Sequence, residues 1–359
     1  MIFLITVCAI PLVFTFANSL SMRVVRSRNT ETIGDSVSIL IPMRNEAENV
    51  AGVVNSALAT SLIPHMEVIV LDDHSSDQTN ALLHEFPGIE VASGIELPEG
   101  WLGKNFACHQ LVMQSTGDYL VFVDADVRLT ELAVASAISH MNNYAWDFIS
   151  PYPQQIAITS SERLIQPLLQ WSWLSSVPLR IAERTKFPSM VIANGQFMIV
   201  KRAAYLTSGG HKEIRLEILD DLELARLLVK NGFKGGVAIG SDVASCRMYN
   251  NRIELFAGYT KSLWRAFGSL FGSIATSIFL FVTGVLPILL ALSGYSMAWI
   301  GYFLVILSRY ISALRTRSIS AASTALLHPL SILILIYLIS NSWYRKSQGT
   351  LMWRGRTLV

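Results

Sequence analysis

The chain has 359 residues, 52% of them hydrophobic and only 15% charged, with a formal net charge of +2 and a mean hydropathy of +0.43. So apolar a composition excludes disordered and fibrous classes and sets the chain apart from ordinary soluble enzymes, in which about a quarter of the residues are charged. A charge this close to balance provides no field for nucleic acid, so none is expected as a partner. Cys8, Cys108 and Cys246 have no paired spacing and no CxxC, which fits a reduced, cytoplasmic domain without disulfides.

The apolar excess is concentrated at the two ends. The nineteen residues Ile2 to Leu20 carry no charge, and Arg23, Arg26 and Arg28 follow them. At about 1.5 Å per residue this run crosses a bilayer core of about 30 Å. A cleaved signal peptide carries its basic residues before the apolar run, not after it. Residues 1–22 are therefore expected to form an anchor, with the following chain on the cytoplasmic side. Between Ala266 and Ser308 lie 43 residues without a charge, enough for two spans joined by a turn near Ser293-Gly294-Tyr295. Arg309, Arg315 and Arg317 then mark a return to the cytoplasm. A third run, Ser318 to Tyr344, contains His328 and Pro329 and ends in Arg345 and Lys346. If it crosses, the basic tail Trp353-Arg354-Gly355-Arg356 lies outside, against the charge rule, so the number of spans stays open. The expected organisation is an anchor at 1–22, a soluble domain at 36–265, a C-terminal transmembrane region at 266–344 and a basic tail at 345–359. Such a protein is a multi-pass protein of the cell membrane with the bilayer as its first partner.

In the middle, short apolar runs alternate with helical periods. Val37 to Pro42 predicts a buried strand, followed by a helix over about 47–59. Val68 to Leu71 predicts a second strand running into Asp72-Asp73-His74-Ser75-Ser76-Asp77, where Ser75 or Ser76 caps the next helix. A short strand near 89–92, a helix over about 104–115 and the strand Tyr119 to Val123 follow. Strand and helix in turn imply an α/β domain with a mostly parallel sheet covered on both faces. Ligands bind such sheets at the carboxyl ends of the strands. Asp72-Asp73 and Asp124-Ala125-Asp126 both fall there.

No GxGxxG follows the first strand and no GxxxxGK[ST] occurs, so neither a dinucleotide fingerprint nor a P-loop is present. Carboxylates supply positive charge for a diphosphate indirectly, by holding a divalent metal. Asp124 and Asp126 flank one alanine directly after a buried strand, and a second acidic pair ends a neighbouring one. That setting turns a common acidic turn into a candidate metal and nucleotide site.

The ordered motifs Pro42-Met43-Arg44-Asn45-Glu46, Asp72-Asp73-His74-Ser75-Ser76-Asp77-Gln78-Thr79, Asp124-Ala125-Asp126 and Asp220-Asp221-Leu222-Glu223-Leu224 resemble those of the family 2 glycosyltransferases over about 37–264. The resemblance implies the inverting GT-A fold, a Rossmann-like mixed sheet, here with transmembrane helices at both ends. Gly100-Trp101-Leu102-Gly103-Lys104-Asn105, Asn194-Gly195-Gln196-Phe197-Met198, Gly209-Gly210-His211, Arg247-Met248-Tyr249 and the tail Trp353 to Arg356 narrow it. They are similar to bacterial membrane lipid glycosyltransferases of the 4,4'-diaponeurosporenoate glycosyltransferase and hopanoid-associated types. Asp220 stands where the family carries a glutamate. Lys261-Ser262-Leu263-Trp264-Arg265 does not match the Q-x-x-R-W of processive polymer synthases, so transfer of a single sugar is expected.

From the resemblance follow the roles. Asp126 is the main ligand of a divalent metal, Mn2+ or Mg2+, with Asp124 beside the metal or the ribose. Asp73 and its neighbour Asp72 hold the nucleoside, and Arg44 and Glu46 line its pocket. Lys104 lies near the diphosphate; a cation at a helix start opposes the dipole and needs a reason other than helix stability. Asn194, Gly195 and Gln196 contact the sugar or acceptor, and Arg247 and Tyr249 close over the diphosphate. Asp221 is the general base that deprotonates an attacking hydroxyl. A carboxylic acid acceptor is already ionised at neutral pH, and Asp221 then serves to position it. The implied partners are a UDP-sugar, with glucose as the sugar, and a lipid acceptor such as a carotenoid acid or hopanoid. Transfer to a polyprenyl phosphate or a polysaccharide, and a non-catalytic membrane scaffold, are the alternatives. Residues 164–181, with Trp171, Trp173, Pro167 and Pro178, predict an interfacial helix beside the site that admits the lipid.

Overall fold

The computed structural model describes residues 1–27, 30–185, 187–353 and 356–357; Arg28, Arg354 and Gly355, which enter the expectations above, lie outside the described residues. In chain order the elements begin with α1 (Ile2–Ser21), β1 (Val37–Met43), α2 (Val50–Leu58), β2 (Met66–Asp72), α3 (Thr79–Leu83), β3 (Glu90–Ser93), α4 (Gly103–Gln114), β4 (Tyr119–Val123), β5 (Val127–Leu129) and α5 (Ala133–Asn143). There follow β6 (Phe148–Tyr152), β7 (Gln154–Gln155), α6 (Ser160–Ile165), α7 (Pro167–Leu174), α8 (Leu179–Ala182), β8 (Phe197–Lys201), α9 (Arg202–Ser208), α10 (Gly210–Glu213), α11 (Asp220–Lys230), β9 (Gly235–Ile239) and β10 (Ala244–Cys246). The C-terminal helices are α12 (Arg252–Ala266), α13 (Leu270–Gly284), α14 (Leu286–Leu292), α15 (Ala298–Arg315), α16 (Ile319–Ala322) and α17 (His328–Ser347).

These elements form two compact units. The α/β unit comprises Arg23–Gln154 and Ile181–Cys246; the helical unit comprises Met1–Met22, Gln155–Arg180 and Arg247–Val359. The division differs from the single domain expected over 36–265, because residues 155–180 and the helix at 252–266 pack with the terminal helices.

The α/β unit is built on a seven-stranded sheet of order β3-β2-β1-β4-β8-β6-β9. Pairings from β3 through β4 are parallel, β8 runs antiparallel to both β4 and β6, and β9 is parallel to β6. The continuous apolar runs arise because central strands are covered on both faces. Ile39, Leu40 and Ile41 on β1 are all fully buried, each side chain contributing about 1.5–3 kcal/mol by leaving water. Gly117 lets the turn before β4 close on β1: a Cβ there would lie 2.5 Å from the Ser38 nitrogen, and its amide donates to Ser38 Oγ at 2.8 Å. A second small sheet pairs β5 antiparallel with β10, setting Val127 against Cys246.

Neither expected serine caps α3. Asp77 accepts from the Thr79 amide at 3.0 Å and its hydroxyl at 2.6 Å, while Ser75 Oγ is taken by the Asn45 amide at 2.9 Å. These bonds to the charged form hold the Asp77 carboxyl below its usual range against the opposing effect of burial.

Among the described residues three helices, all in the helical unit, are long and apolar enough to cross a membrane: Ile2–Ser21, Leu270–Leu292 (α13 with α14) and Ala325–Ser347. The turn expected near 293–295 lies between α14 and α15, with Gly294 at φ 97°. Leu4, Cys8, Trp171, Leu280, Val305 and Leu338 belong to one core. Thr15 and Trp171 both hydrogen-bond Ser308 Oγ at 2.9 Å, and Asn18 donates to the carbonyls of Leu174 and Val177. In the segment expected to lie at an interface, Pro167 opens α7 where α6 ends, and Trp171 is buried in the unit's own core at 2% exposure.

Candidate active site

The loops leaving β1 and β2 interlock. Asn45 and His74 adopt left-handed backbone, at φ 53° and 55°, a region these residue types tolerate better than most. The Asn45 side chain accepts from the Ser76 amide at 2.7 Å, and the Glu46 amide donates to Thr79 Oγ1 at 2.8 Å. Arg44 donates to the Asp73 carbonyl at 2.6 Å. Asp72 accepts from the Ser75 amide and from Asn80 Nδ2, so it braces its own loop. Asp73 is 5% exposed, with its amide bonded to the Met43 carbonyl.

Beyond β4 the chain turns through Asp124-Ala125-Asp126, anchored by the Asp124 amide on the Gln196 carbonyl at 3.0 Å. Asp126 is the unusual member. Its Oδ1 is buried without a hydrogen-bond partner. Burial and the neighbouring Asp124 charge push its carboxyl up to about 7, although the Cys246 thiol donates to it. Burial and the Asp126 charge push that thiol well above its ordinary value in turn, so it stays protonated. A buried carboxylate with an open oxygen and a repelling neighbour is a place that a cation relieves, and the donor set suits a hard divalent metal. Among the described residues no group of three or more His, Cys, Asp or Glu forms a ready-made metal site.

Lys104 faces the same turn from the first turn of α4. Its Nζ lies 2.9 Å from Asp124 Oδ1 and 3.2 Å from Asp220 Oδ2. Burial alone would lower its pKa, but the two carboxylates hold the ammonium well above its ordinary value. They are the reason for a cation at this helix start.

Asp221 lies in the first turn of α11, where acids suit the helix dipole. It accepts from the Gly195 amide at 2.6 Å and the Leu222 amide at 2.7 Å. Burial and the Asp220 charge nevertheless push its carboxyl up to about 6, against Lys104 and the two amides. Gly195 permits this approach, since a Cβ there would sit 3.0 Å from the Asp221 Cβ. The loop is held from below: the Asn194 amide donates to Ser150 Oγ, and Asn194 Oδ1 accepts from the Gln196 amide. Lys104, Asp124, Gly195, Asp220 and Asp221 line one cleft with His211. His211 is buried on Phe122 and Tyr205, and burial lowers its pKa to about 4, leaving it neutral. A carboxylate that titrates near neutrality can take up a proton there, and the cation can bridge anionic groups.

Thus the α/β unit brings together Lys104, Asp124, Gly195 and Asp221 as a cleft lining, with Asp126, Asn194 and Gln196 in the supporting turns. Arg44, Glu46, Asp72 and Asp73 form the interlocked loops at the ends of β1 and β2. Arg247 and Tyr249 belong to the helical unit, where the Tyr249 and Tyr259 rings lie 6.0 Å apart.

Two residues of the site escaped the sequence reading. Arg128 donates to the carbonyls of Ala125 and Val127 at 2.8 Å each and to Asn49 Oδ1 at 3.0 Å, while Asn49 donates to Glu46 at 2.8 Å. It ties the Asp124–Asp126 turn to the Glu46 loop. Cys246 reaches Asp126 through the β5–β10 pairing. Arg128 could have been suspected from its place two residues after Asp126; no local signal points to Cys246.

Residues 38–207 match the Glycosyl transferase family 2 model. Over those residues the chain resembles that family, and its α/β unit has a GT-A fold. Among its relatives is the 4,4'-diaponeurosporenoate glycosyltransferase of Staphylococcus haemolyticus, 26% identical over 243 residues, which cover 66% of this chain and 63% of the relative. The enzyme of the same name from Staphylococcus aureus strain MRSA252 is 24% identical over 340 residues, covering 89% of this chain and 88% of its own. The chain therefore spans a little under two thirds of the first relative and most of the second. A solved mannosyltransferase of Pyrobaculum calidifontis, in complex with GDP-mannose and Mn2+, aligns over 96% of this chain and 99% of its own, with a TM-score of 0.56 and 15% identity. At that identity the likeness concerns the fold.

Proposed function

We propose that the protein is a multi-pass membrane enzyme that transfers a single sugar with inversion from a nucleotide donor, UDP-glucose in the first instance, to a lipid acceptor at the cytoplasmic face. The observation that carries the reading is the buried, unpartnered Oδ1 of Asp126, close to a cleft that also holds Asp221. A divalent metal, Mn2+ or Mg2+, held by Asp126 and Asp124, would neutralise the departing diphosphate. The interlocked loops of Arg44, Glu46, Asp72 and Asp73 bind the nucleoside part of the donor. Lys104, beside Asp124 and Asp220, would stabilise developing phosphate charge, exchanging these carboxylate partners for the ligand. Asp221 takes the proton of an attacking hydroxyl at its carboxylate, and its raised pKa makes it a better acceptor than an ordinary aspartate. With a carboxylic acid acceptor it holds the attacking oxygen in line instead. Arg247 and Tyr249 are assigned to closure over the donor.

The named activity of the staphylococcal relatives supports a carotenoid acid as acceptor, and a hopanoid is the second lipid of this kind. Three apolar helices support a membrane setting. The test uses membranes containing the full chain, radiolabelled UDP-glucose, Mn2+ and a total lipid extract, with Asp126→Ala as control. Label entering the lipid phase with the wild type and not with the variant is the expected result. No lipid label from UDP-glucose, other UDP-sugars or GDP-mannose would remove the lipid acceptor and bring a polysaccharide acceptor forward.

A further inference from the structure

The helical unit buries a cation that the transfer reaction does not use. Arg309 on α15 is wholly shielded from solvent. Its Nη2 donates to the carbonyls of Leu164 at 2.9 Å and Arg163 at 3.3 Å, at the end of α6, and reaches Thr324 Oγ1 at 3.4 Å. Its Nε and Nη1 have no hydrogen-bond partner. His328, at the start of α17, is 1% exposed and neither ring nitrogen is partnered; its ring stands edge-on to Trp171 at 4.8 Å, and Arg309 is the charge that acts on it. Gln166, in the break between α6 and α7, is 2% exposed with both amide atoms unpartnered. Ser312 Oγ, three residues after Arg309 on α15, is unpartnered too.

Among the described residues no carboxylate pairs with this charge. The helical unit contains thirteen lysines and arginines but only two acids, Glu162 and Glu254. Glu162 is committed to the Ile158 amide at 2.7 Å and to Thr159 Oγ1 at 2.6 Å. Glu254 is committed to Asn250 and Asn251 at the start of α12. The α6 carbonyls offset part of the cost of a buried guanidinium, yet two of its three nitrogens keep donors with nowhere to donate. Such a cluster, set among helices that are otherwise apolar, is satisfied by an oxyanion, and an oxyanion that reaches an apolar bundle arrives on an apolar chain.

We propose that Arg309, with His328 and Gln166, binds the anionic head of a lipid, a carboxylate or phosphate ester on a long hydrocarbon chain. The site is independent of the assignment of Asp126 and Asp221. Entry requires the 319–327 connection, whose Thr324 touches Arg309, to move aside.

The test uses the full-length protein in phosphatidylcholine nanodiscs and reads energy transfer from tryptophan to cis-parinaric acid, a fluorescent polyene carboxylate, against its methyl ester. The wild type is expected to bind the acid roughly tenfold or more tightly than the ester. Arg309→Met is expected to lower acid binding to the ester level and leave the ester unchanged, which also reports an intact fold. Should that variant fail to fold, Gln166→Leu takes its place, with the same loss of acid preference expected. Displacement by oleate assigns a carboxylate head and displacement by phosphatidylglycerol a phosphate head. Equal binding of acid and ester by the wild type, or an acid preference that survives in a folded variant, would overturn the proposal.

Discussion

The α/β unit holds 24 of the 26 acidic residues with 15 lysines and arginines, whereas the helical unit holds two acids against thirteen bases. In the first, the ionised side chains at the cleft are mostly engaged with one another: Lys104 bridges Asp124 and Asp220, and Asp221 takes two backbone amides. The exception is Asp126, a buried acid with an open oxygen. In the second, Arg309 stands out as a wholly buried base with two of its three nitrogens open. On the two proposals made above, each of these charges would find its complement outside the chain: a cation at Asp126, an anion at Arg309.

The sharpest way to break this contrast is at Asp126. Asp126→Asn is expected to lower sugar transfer by about a thousandfold or more, the scale of losing an electrostatic stabiliser of a leaving group. Without metal it is expected to melt no lower than the wild type, because it removes a repelled, buried charge. A carboxyl whose folded pKa is raised destabilises the fold as pH climbs from its unfolded value through its folded one. The advantage of Asp126→Asn over the metal-free wild type should therefore widen between about pH 5 and pH 8 in a thermal melt. A substantially lower melting temperature at pH 8 would mean that the Asp126 charge is paired after all.

At Asp221 the effect is smaller and depends on the acceptor. Asp221→Asn is expected to reduce transfer to a hydroxyl acceptor by about 10²- to 10⁴-fold, and to a carboxylic acid by much less. In the wild type, transfer to a hydroxyl falls as pH drops through about 6, where the base becomes protonated. A pH profile flat from 5 to 8 with a hydroxyl acceptor would remove Asp221 as base. Gly195→Ala places a Cβ 3.0 Å from the Asp221 Cβ and is expected to cost about tenfold in kcat with the melting temperature nearly kept, as for a small displacement of a positioned group.

The smallest expected effects lie in the packing. Arg128→Met removes the tie between the Asp124–Asp126 turn and the Glu46 loop, at about 1–3 kcal/mol in denaturant unfolding. Trp171→Phe deletes one hydrogen bond to Ser308, at about 1 kcal/mol, with transfer unchanged.

Much of the α/β unit was legible in the sequence because a strand covered on both faces reads as an unbroken apolar run. That is how β1, β2 and β4 stand out, and the acid directly after β4, Asp124, lines the cleft. The turn at Gly294 was legible because a flexible, polar triplet interrupts a charge-free run. What the sequence hides is partnership at a distance. Cys246 meets Asp126 only because β10 pairs with β5. Lys104 finds Asp220 more than a hundred residues away. Asp77, not a serine, holds Thr79 at the start of α3, while Ser75 Oγ is taken by the distant Asn45 amide. Residues 155–180 and 252–266 look like parts of the soluble domain until their buried faces, led by Trp171 and Leu263, are seen against the terminal helices.

The central claim is that Asp126 leaves room for a cation that the donor requires. It is tested most directly by calorimetric titration of the detergent-solubilised full chain with UDP-glucose, with Mn2+ or with EDTA, for wild type and Asp126→Ala. The account predicts binding by the wild type with Mn2+ only, and loss of that binding in the variant. Equal affinity in EDTA, or metal-dependent binding undiminished in Asp126→Ala, would contradict it.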